Sequence, residues 1–340
     1  MLPAKVSFPA ALKKVGVVNN MPVVPDNQQI IDRPAKEADE ITRRIDYYNG
    51  DPQVTTEALA EALADGNYFD QVVICDSALR AADVIPREGI LGREEVGQLA
   101  QQLEVDCLIA LENVQIRTIR RVNFAEEWGA YDATLDAKVY PVVRVYVPNR
   151  SGAMATVADA DSIFWEATGA TIAGANARLI GEKQMIDEAS RFAGTVPVKD
   201  LLPYWKTGMR YYFAGGTVNM RDATVYVRKQ EWSNAVALWT KEYNTKKRPK
   251  QKMRAAYNLA FGYEMQDSIE TALQWIEQAQ KLAYEVDDVE AKQLGGEVVD
   301  WSVPNYAEVV RYYGELKERE NGLMRLNAQM QRVKDEDDNP

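Results

Sequence analysis

Carboxylates are the side chains best suited to chemistry in this sequence, because its 340 residues include no histidine. That absence removes the Ser-His-Asp triad, the Cys-His pair and the paired-histidine zinc helix. An acid–base enzyme would have to use pairs of Asp or Glu. The candidates are two close pairs and one residue that ends an apolar run: Asp159 with Asp161, Glu126 with Glu127, and Asp76. With 51 acidic residues in the chain, we interpret them as solvated loop charge and predict no catalytic residue.

The glycine-rich stretches and the charge balance exclude further classes of site. Residues 168–181 and 213–219 lack the spacing of a dinucleotide or P-loop motif, so we predict no cofactor. We also predict no metal, because histidine is absent and Asp159 and Asp161 lack the glycine and the terminal glutamate of a calcium loop. A net charge of −11 repels phosphate backbones and anionic lipids, which argues against nucleic acid as a partner. Apolar runs are too short for a transmembrane span. The basic run at 246–254 is a candidate docking patch, but we favour a solvated linker.

The two cysteines lie on predicted strands. Cys75 is near the end of one and Cys107 near the start of another. If these strands are parallel neighbours, the cysteines are offset by ~10 Å, beyond the ~7 Å Cα limit of a disulfide. We predict two buried free thiols.

The first part of the chain alternates strand and helix signals. Apolar runs predict strands at 14–20, 71–75 and 105–111. Helical patterns lie between them at 55–65, with Thr55 as N-cap, and at 94–103, while 21–34 reads as a loop. This alternation is typical of a parallel sheet with crossover helices. Alternating stretches then predict antiparallel hairpins at 114–123, 131–147 and 162–167. We predict a mixed α/β sandwich domain over residues 1–198, with Pro141 at an edge or a bulge.

The rest of the chain, residues 199–340, reads as an all-α domain. A helix predicted at 180–192 still belongs to the first domain, and further helices are predicted at 220–229, 232–244, 252–265, 268–284 and 306–333. The first four helices of this region pair into two hairpins in which Ala235 and Ala272 are 37 residues apart. This pattern resembles the tetratricopeptide repeat, whose small residues let paired helices approach closely, with three residues more than the usual ~34. The last helix would cap the repeats.

Grooves of such repeats bind extended or helical peptides. On the first helix of the second hairpin, Tyr257, Asn258 and Phe261 fall on the face that would line a groove. Arg221 and Arg228 occupy the corresponding region of the preceding hairpin. These five residues are the predicted partner-binding site, and the predicted partner is a protein or peptide.

Two stretches of the sequence resemble known envelope proteins. A helix leads into a strand that begins Val105-Asp106 and continues to Ile109, which is similar to proteins of the curli-secretion lipoprotein and TolB N-terminal type. With RYYFAGG at 210–216 and the helical repeats, the chain resembles an uncharacterised Bacteroidetes lipoprotein family of unknown function. The resemblance transfers no catalytic residue. It implies a leader and a lipid-bearing cysteine upstream of Met1, and hence a place in the cell envelope; the alternative is the cytoplasm.

The leading prediction is therefore a non-enzymatic envelope scaffold or adaptor that binds a protein through its helical repeats. One alternative is a carboxylate-dependent hydrolase that acts on glycan in a cleft between the domains. The other is binding of a nucleotide or small ligand at the sheet edge near Asn19 and Asp76.

Overall fold

The structure is a computed structural model that describes residues 1–22, 29–33, 40–83, 89–296 and 300–337. The chain forms two compact units. The sheet unit contains Ala4–Tyr204 and the residues from Gln329 onward. The helical unit contains Met1–Pro3 and Trp205–Ala328.

The described part of the sheet unit contains one mixed sheet of eight strands. They are β1 (Lys14–Asn19), β2 (Gln29–Arg33), β3 (Glu40–Asn49), β4 (Gln71–Ala78), β5 (Cys107–Ala125), β6 (Ala130–Tyr146), β7 (Ala155–Ala158) and β8 (Asp161–Gly169). β1 runs parallel to β4 and to the first part of β5. The second part of β5 is antiparallel to β3, which pairs in turn with β2. Along its other edge β5 pairs with β6, and β6 pairs with β7 and β8. The predicted mixed α/β sheet is confirmed.

Helices cover the sheet unevenly. They are α1 (Pro52–Asp65), α2 (Arg93–Leu103), α3 (Ile172–Arg178), α4 (Glu182–Thr195) and the short α5 (Val198–Leu201). α1, α3 and α4 pack on one face, where Leu59 and Met185 share a core with Ile109. α2 packs on the other face, where Val96 contacts the apolar side chains of β1 and of the first part of β5, such as Leu108.

A β-bulge at Glu112 exchanges the two faces of β5. Leu111 pairs with Val143 and Asn113 pairs with Val142, so Glu112 is an extra residue between them. Before the bulge, odd-numbered residues such as Ile109 enter the core beneath α1 and α4; after it, even-numbered residues such as Ile116 do so. A one-residue slip in a strand moves every following side chain to the other face. From Gln115 onward the odd-numbered residues therefore lie on the face that bears α2.

The helical unit is built from paired helices. They are α6 (Val218–Arg228), α7 (Trp232–Thr245), α8 (Pro249–Glu264), α9 (Ile269–Val286), α10 (Val289–Leu294) and α11 (Pro304–Asp337), which belongs to this unit as far as Ala328. Helices α6 to α9 pack in succession, each against the next. Ala235 and Ala272 are fully buried. The predicted all-helical region is confirmed, with helix ends within a few residues of the expected positions.

Several local predictions are wrong. The N-cap of α1 is Asp51 and not the predicted Thr55. The Asp51 carboxylate accepts hydrogen bonds from the backbone N–H groups of Gln53 and Val54. The predicted loop at 21–34 contains β2, although 23–28 and 34 lie outside the described residues. The strands predicted at 105–111 and 114–123 are one continuous β5, joined through the bulge.

The cysteine prediction holds only in part. Both cysteines are free, but Cys75 is half-buried whereas Cys107 is fully buried. The reasoning about neighbouring strands was wrong, because β1 lies between β4 and β5. Pro141 pairs with Val114 beside the bulge, between the β6 residues that pair with β7 and those that pair with β8.

Candidate functional site

The five predicted partner-binding residues fall into two groups. Tyr257, Asn258 and Phe261 lie on α8 and are 2%, 0% and 6% exposed. Arg221 and Arg228 lie on α6 and are exposed. The three α8 residues share a site, but the chain's own residues cover it. Partner binding by all five stays a prediction.

The covering residues are 210–214, which we call the groove segment. It contains neither helix nor strand. The Asn258 side chain binds the backbone of Phe213 twice: its Oδ1 accepts from the Phe213 N–H at 2.8 Å, and its Nδ2 donates to the Phe213 carbonyl at 2.9 Å. The same two backbone groups would pair with a neighbouring strand in a sheet. A single buried amide on α8 therefore holds the segment through its backbone.

Aromatic side chains hold the segment on both sides of this contact. The Tyr212 ring stacks on Phe261 with centroids 5.8 Å apart. The Phe213 ring meets Tyr257 edge to face at 5.5 Å, and the Arg254 guanidinium lies 5.1 Å from the Phe213 centroid. Such aromatic and cation–π contacts add to the apolar burial.

A charged network fixes the beginning of the segment. Arg210 donates from Nε and Nη2 to both carboxylate oxygens of Glu264, at 2.8 and 3.0 Å, and Nη1 donates to Glu315. Glu264 also accepts from the Tyr312 hydroxyl at 2.7 Å, and Arg319 lies 3.3 Å away. Burial alone would raise the pKa of Glu264, but the hydrogen bonds from Arg210 and Tyr312 outweigh it and lower the pKa below its usual value.

α8 combines small residues, which let neighbouring helices such as α7 pack closely, with one buried amide. Small residues such as Ala256, Ala260 and Gly262 are buried along this helix and admit close neighbours. A Cβ on Gly262 would lie only 2.6 Å from Val236 Cγ2. Asn258 is the polar exception, and a buried amide needs hydrogen-bond partners. The Phe213 N–H and carbonyl of the groove segment supply these partners.

Apolar surface continues outward from the groove. A cavity of about 390 Å³ is lined by Tyr211, Phe213, Tyr257 and Glu308, among others. The Tyr257 hydroxyl donates to Glu308 at 3.0 Å. Trp205 and Met209, on the chain just before the groove segment, are 79% and 74% exposed.

A second polar cluster lies at the carboxyl end of β1. The bulged Glu112 is buried and accepts from Tyr146 at 2.7 Å and from Asn20 at 2.8 Å, with Arg144 3.6 Å away. Asn20 also accepts from Arg80 at 2.8 Å. Burial raises the pKa of Glu112 despite these hydrogen bonds, and burial together with the bond to Glu112 raises the pKa of Tyr146 to about 12. The cluster is satisfied internally, so its geometry favours a structural role at the bulge.

The carboxylates noted in the sequence are dispersed. Asp159 forms an ion pair with Lys199 at 3.0 Å, and Asp161 accepts from the backbone of Ser162. Glu126 and Glu127 lie in the turn between β5 and β6. Among the described side chains, which exclude Asp76, no group of His, Cys, Asp or Glu is arranged to hold a metal ion. No described helix has the length and apolarity needed to cross a membrane.

Two families match the chain. Residues 12–213, more than half of the chain, match a domain of unknown function, DUF8603. The chain belongs to the DUF8603 family. Residues 221–318 match a second domain of unknown function, DUF6340. No curated protein and no solved structure matches the chain. The DUF8603 match ends at Phe213 in the groove segment, whereas the groove residue Asn258 lies in the DUF6340 match.

Sequence reasoning identified Asn258 as a candidate but missed the groove segment that covers it. Arg210, Tyr212 and Phe213 belong to RYYFAGG, which drew attention only as part of a resemblance. An arginine followed by three aromatic residues and a glycine pair was the available signal. Glu112 was visible as a lone acid at the end of the apolar run CLIAL.

Proposed function

We propose that the protein is a non-enzymatic scaffold or adaptor that binds an extended peptide of a partner protein through its helical unit. One observation carries the proposal: Asn258 binds both backbone groups of Phe213 from the middle of a buried helix. This contact binds a segment through its backbone and so does not depend on the side chain at that position. The neighbouring rings of Phe261 and Tyr257 favour aromatic side chains. In peptide-binding grooves, too, hydrogen bonds to the peptide backbone supply affinity and contacts with its side chains supply specificity.

The contacts of the groove segment indicate what a partner segment in the same groove would need. A matching partner segment would offer an arginine for Glu264 and aromatic side chains for Phe261 and Tyr257. Replacement of the groove segment would exchange similar contacts, and the residues around 205–217 contain no helix or strand that must unfold. In its occupied state the groove would bind a partner weakly, because the competent state is a minor one.

We also propose that the helical unit is tetratricopeptide-like. Two successive helical hairpins support this, with Ala235 and Ala272 buried at equivalent positions 37 residues apart. Residence in the cell envelope is proposed from the resemblance alone. In the motif that carries it, Asp106 accepts from the backbone of Lys13 and Lys14 at 2.8 Å each, which explains an acid at that position structurally. Fractionation of the source cells would test the location.

The test of the groove is fluorescence anisotropy with a labelled GMRYYFAGG peptide, the sequence of residues 208–216. Phe213→Ala weakens the internal occupant, so we expect this variant to bind the peptide about tenfold or more tightly than the unchanged protein. Adding Asn258→Ala should abolish the gain. Asn234→Ala, on the exposed face of α7, is the matched control and should leave the gain intact.

Two outcomes contradict the proposal. One is a Phe213→Ala variant that binds no better than the unchanged protein while its helical circular dichroism is preserved. The other is binding that persists after Asn258→Ala. Tyr212→Ala, which also loosens the internal occupant, provides an independent second variant.

A further inference from the structure

Beyond the bulge, the face of the sheet that bears α2 presents exposed or half-buried side chains among the described residues, and we call it the open face. On this face Tyr47 of β3, Arg117 of β5 and Lys138 of β6 are opposite one another in successive strands. Asn49, Gln115 and Tyr140 form the adjoining row. The helices α3 and α4 lie on the other face, where Trp165 donates to Glu188 of α4. Side chains of two rows and three strands therefore meet on one surface.

The charges on this surface are not balanced. Arg117 and Lys138 are directly opposite, and like charges in that position destabilise a sheet. Neither forms an ion pair with a residue that the structure describes. Asp136, in a neighbouring row, pairs instead with Arg121 at 3.1 Å. An anion between Arg117 and Lys138 would remove the repulsion.

Arg117 also has an unsatisfied donor. Its Nε is buried and has no hydrogen-bond partner among the described residues. A buried donor left without a partner costs about 1–3 kcal/mol, and in a native protein it calls for an explanation. Water does not reach this Nε, so a ligand in the cleft would meet the terminal Nη groups of the same guanidinium, which are not buried in this way.

A cleft of about 560 Å³ lies at this point. It is lined by Tyr47, Asn49, Gln115, Arg117 and Tyr140, together with Tyr48 and Ile116. Its volume is in the range of small-molecule sites, roughly 300–1,000 Å³. The lining combines phenol rings, side-chain amides and one guanidinium, and we name it the open-face cleft.

We propose that the open-face cleft binds a sugar acid, with the carboxylate on Arg117 and the hydroxylated ring between Tyr47 and Tyr140. A guanidinium presents paired donors that match the two oxygens of a carboxylate. The side-chain amide of Gln115 can donate to and accept from ring hydroxyls. Tyrosine rings offer an apolar face and a polar tip to the same ring.

The lining favours a carboxylate over a phosphate. Phosphate sites commonly use several backbone N–H groups at a helix start or a glycine-rich turn. Here the lining residues belong to paired strands, whose backbone groups serve the sheet ladder. One guanidinium with a neighbouring ammonium fits a single carboxylate.

The experiment is isothermal titration calorimetry of the full chain with D-galacturonate and D-glucuronate, beside D-galactose, D-glucose and glucose 6-phosphate. We expect saturable binding of a uronate and at least tenfold weaker binding of the neutral sugars. Arg117→Gln should weaken uronate binding by about 10-fold to 100-fold, which is the loss expected for charge-assisted hydrogen bonds. Arg117→Lys keeps the charge but not the paired donors and should bind at an intermediate level.

Arg150→Gln makes the same change of charge at an exposed turn residue and should bind like the unchanged protein. The proposal is overturned if neutral sugars bind as tightly as uronates, or if both Arg117 variants retain full affinity while folded by circular dichroism. Tighter binding of glucose 6-phosphate than of either uronate would overturn the carboxylate assignment. None of these results depends on the groove of the helical unit.

Discussion

Replacement of Asn258 by alanine tests whether this amide holds the groove segment. Asn258 is fully buried, and both of its side-chain hydrogen bonds go to the backbone of Phe213. Alanine removes the two bonds and leaves the Phe213 N–H and carbonyl to find other partners. The contacts of Arg210 with Glu264 and of Tyr212 with Phe261 are untouched by the change.

The size of the effect follows from those two bonds. A buried polar group left without its partner costs about 1–3 kcal/mol, and two groups are affected here. Alanine has a better helix propensity than asparagine, which returns about 0.6 kcal/mol. We expect the groove segment to lose about 2–4 kcal/mol of local stability, since water will partly satisfy the released backbone. At about 1.4 kcal/mol per factor of ten, this corresponds to roughly 30-fold to 700-fold faster opening.

Hydrogen exchange of the full chain, read by mass spectrometry on peptides that cover the groove segment, measures this directly. Amide exchange at Phe213 should accelerate by the factor given above, while peptides from the sheet unit exchange as before. Asn234 is exposed, and its side chain donates to Glu231, so Asn234→Ala should leave the segment's exchange unchanged. Equal protection of Phe213 in Asn258→Ala and in the unchanged protein would show that the aromatic and ionic contacts suffice, and would refute the role assigned to Asn258.

Three further predictions concern packing, pH and thiol access. Gly262→Ala should lower the free energy of unfolding by about 1–3 kcal/mol, because the new methyl group overpacks against Val236. Gly314 has open space around it, so Gly314→Ala should raise the free energy of unfolding by up to about 1 kcal/mol. Urea unfolding, followed by tryptophan fluorescence, measures both changes. Because the folded pKa of Glu264 is lowered, its stabilising contribution is present above the unfolded value of about 4.3 and is lost as pH falls below it. The melting temperature of Glu264→Gln should therefore fall less than that of the unchanged protein between about pH 5 and pH 3. An equal fall in both proteins would contradict the assignment. A thiol reagent should label one cysteine, Cys75, rapidly in the folded protein and both after unfolding without reductant; labelling of none would indicate a disulfide.

Long periodic segments of the chain were predictable from sequence because their own pattern decides their structure. The helices α7, α8 and α9 combine apolar residues at helical spacing with small residues at the hairpin contacts, and their positions were predicted closely. β6 was equally clear, since 17 residues alternate between a buried and a more exposed face. In these segments propensity, pattern and packing agree.

The failures occur where a distant partner decides the structure. β3 carries consecutive arginines and tyrosines, EITRRIDYYN, and forms a strand because β5 extends far enough to pair with it. The groove segment has no periodicity of its own, and its position depends on Asn258, 45 residues away. The partner-binding role predicted for Asn258 stays a prediction, and nothing in its sequence neighbourhood indicated that it would bind a segment of the same chain.

The two candidate sites share a physical origin, which is one polar residue inside an apolar pattern. Glu112 interrupts β5 after CLIAL, and the bulge around it moves the odd-numbered residues of the strand to the open face. Without that extra residue, Arg117 would point toward the core beneath α3 and α4, where an arginine without a partner would be costly. Asn258 interrupts the apolar surface of α8 in the same way and is satisfied only because a backbone lies across it. Since each exception costs stability unless a specific arrangement satisfies it, departures from the apolar pattern mark the two candidate sites.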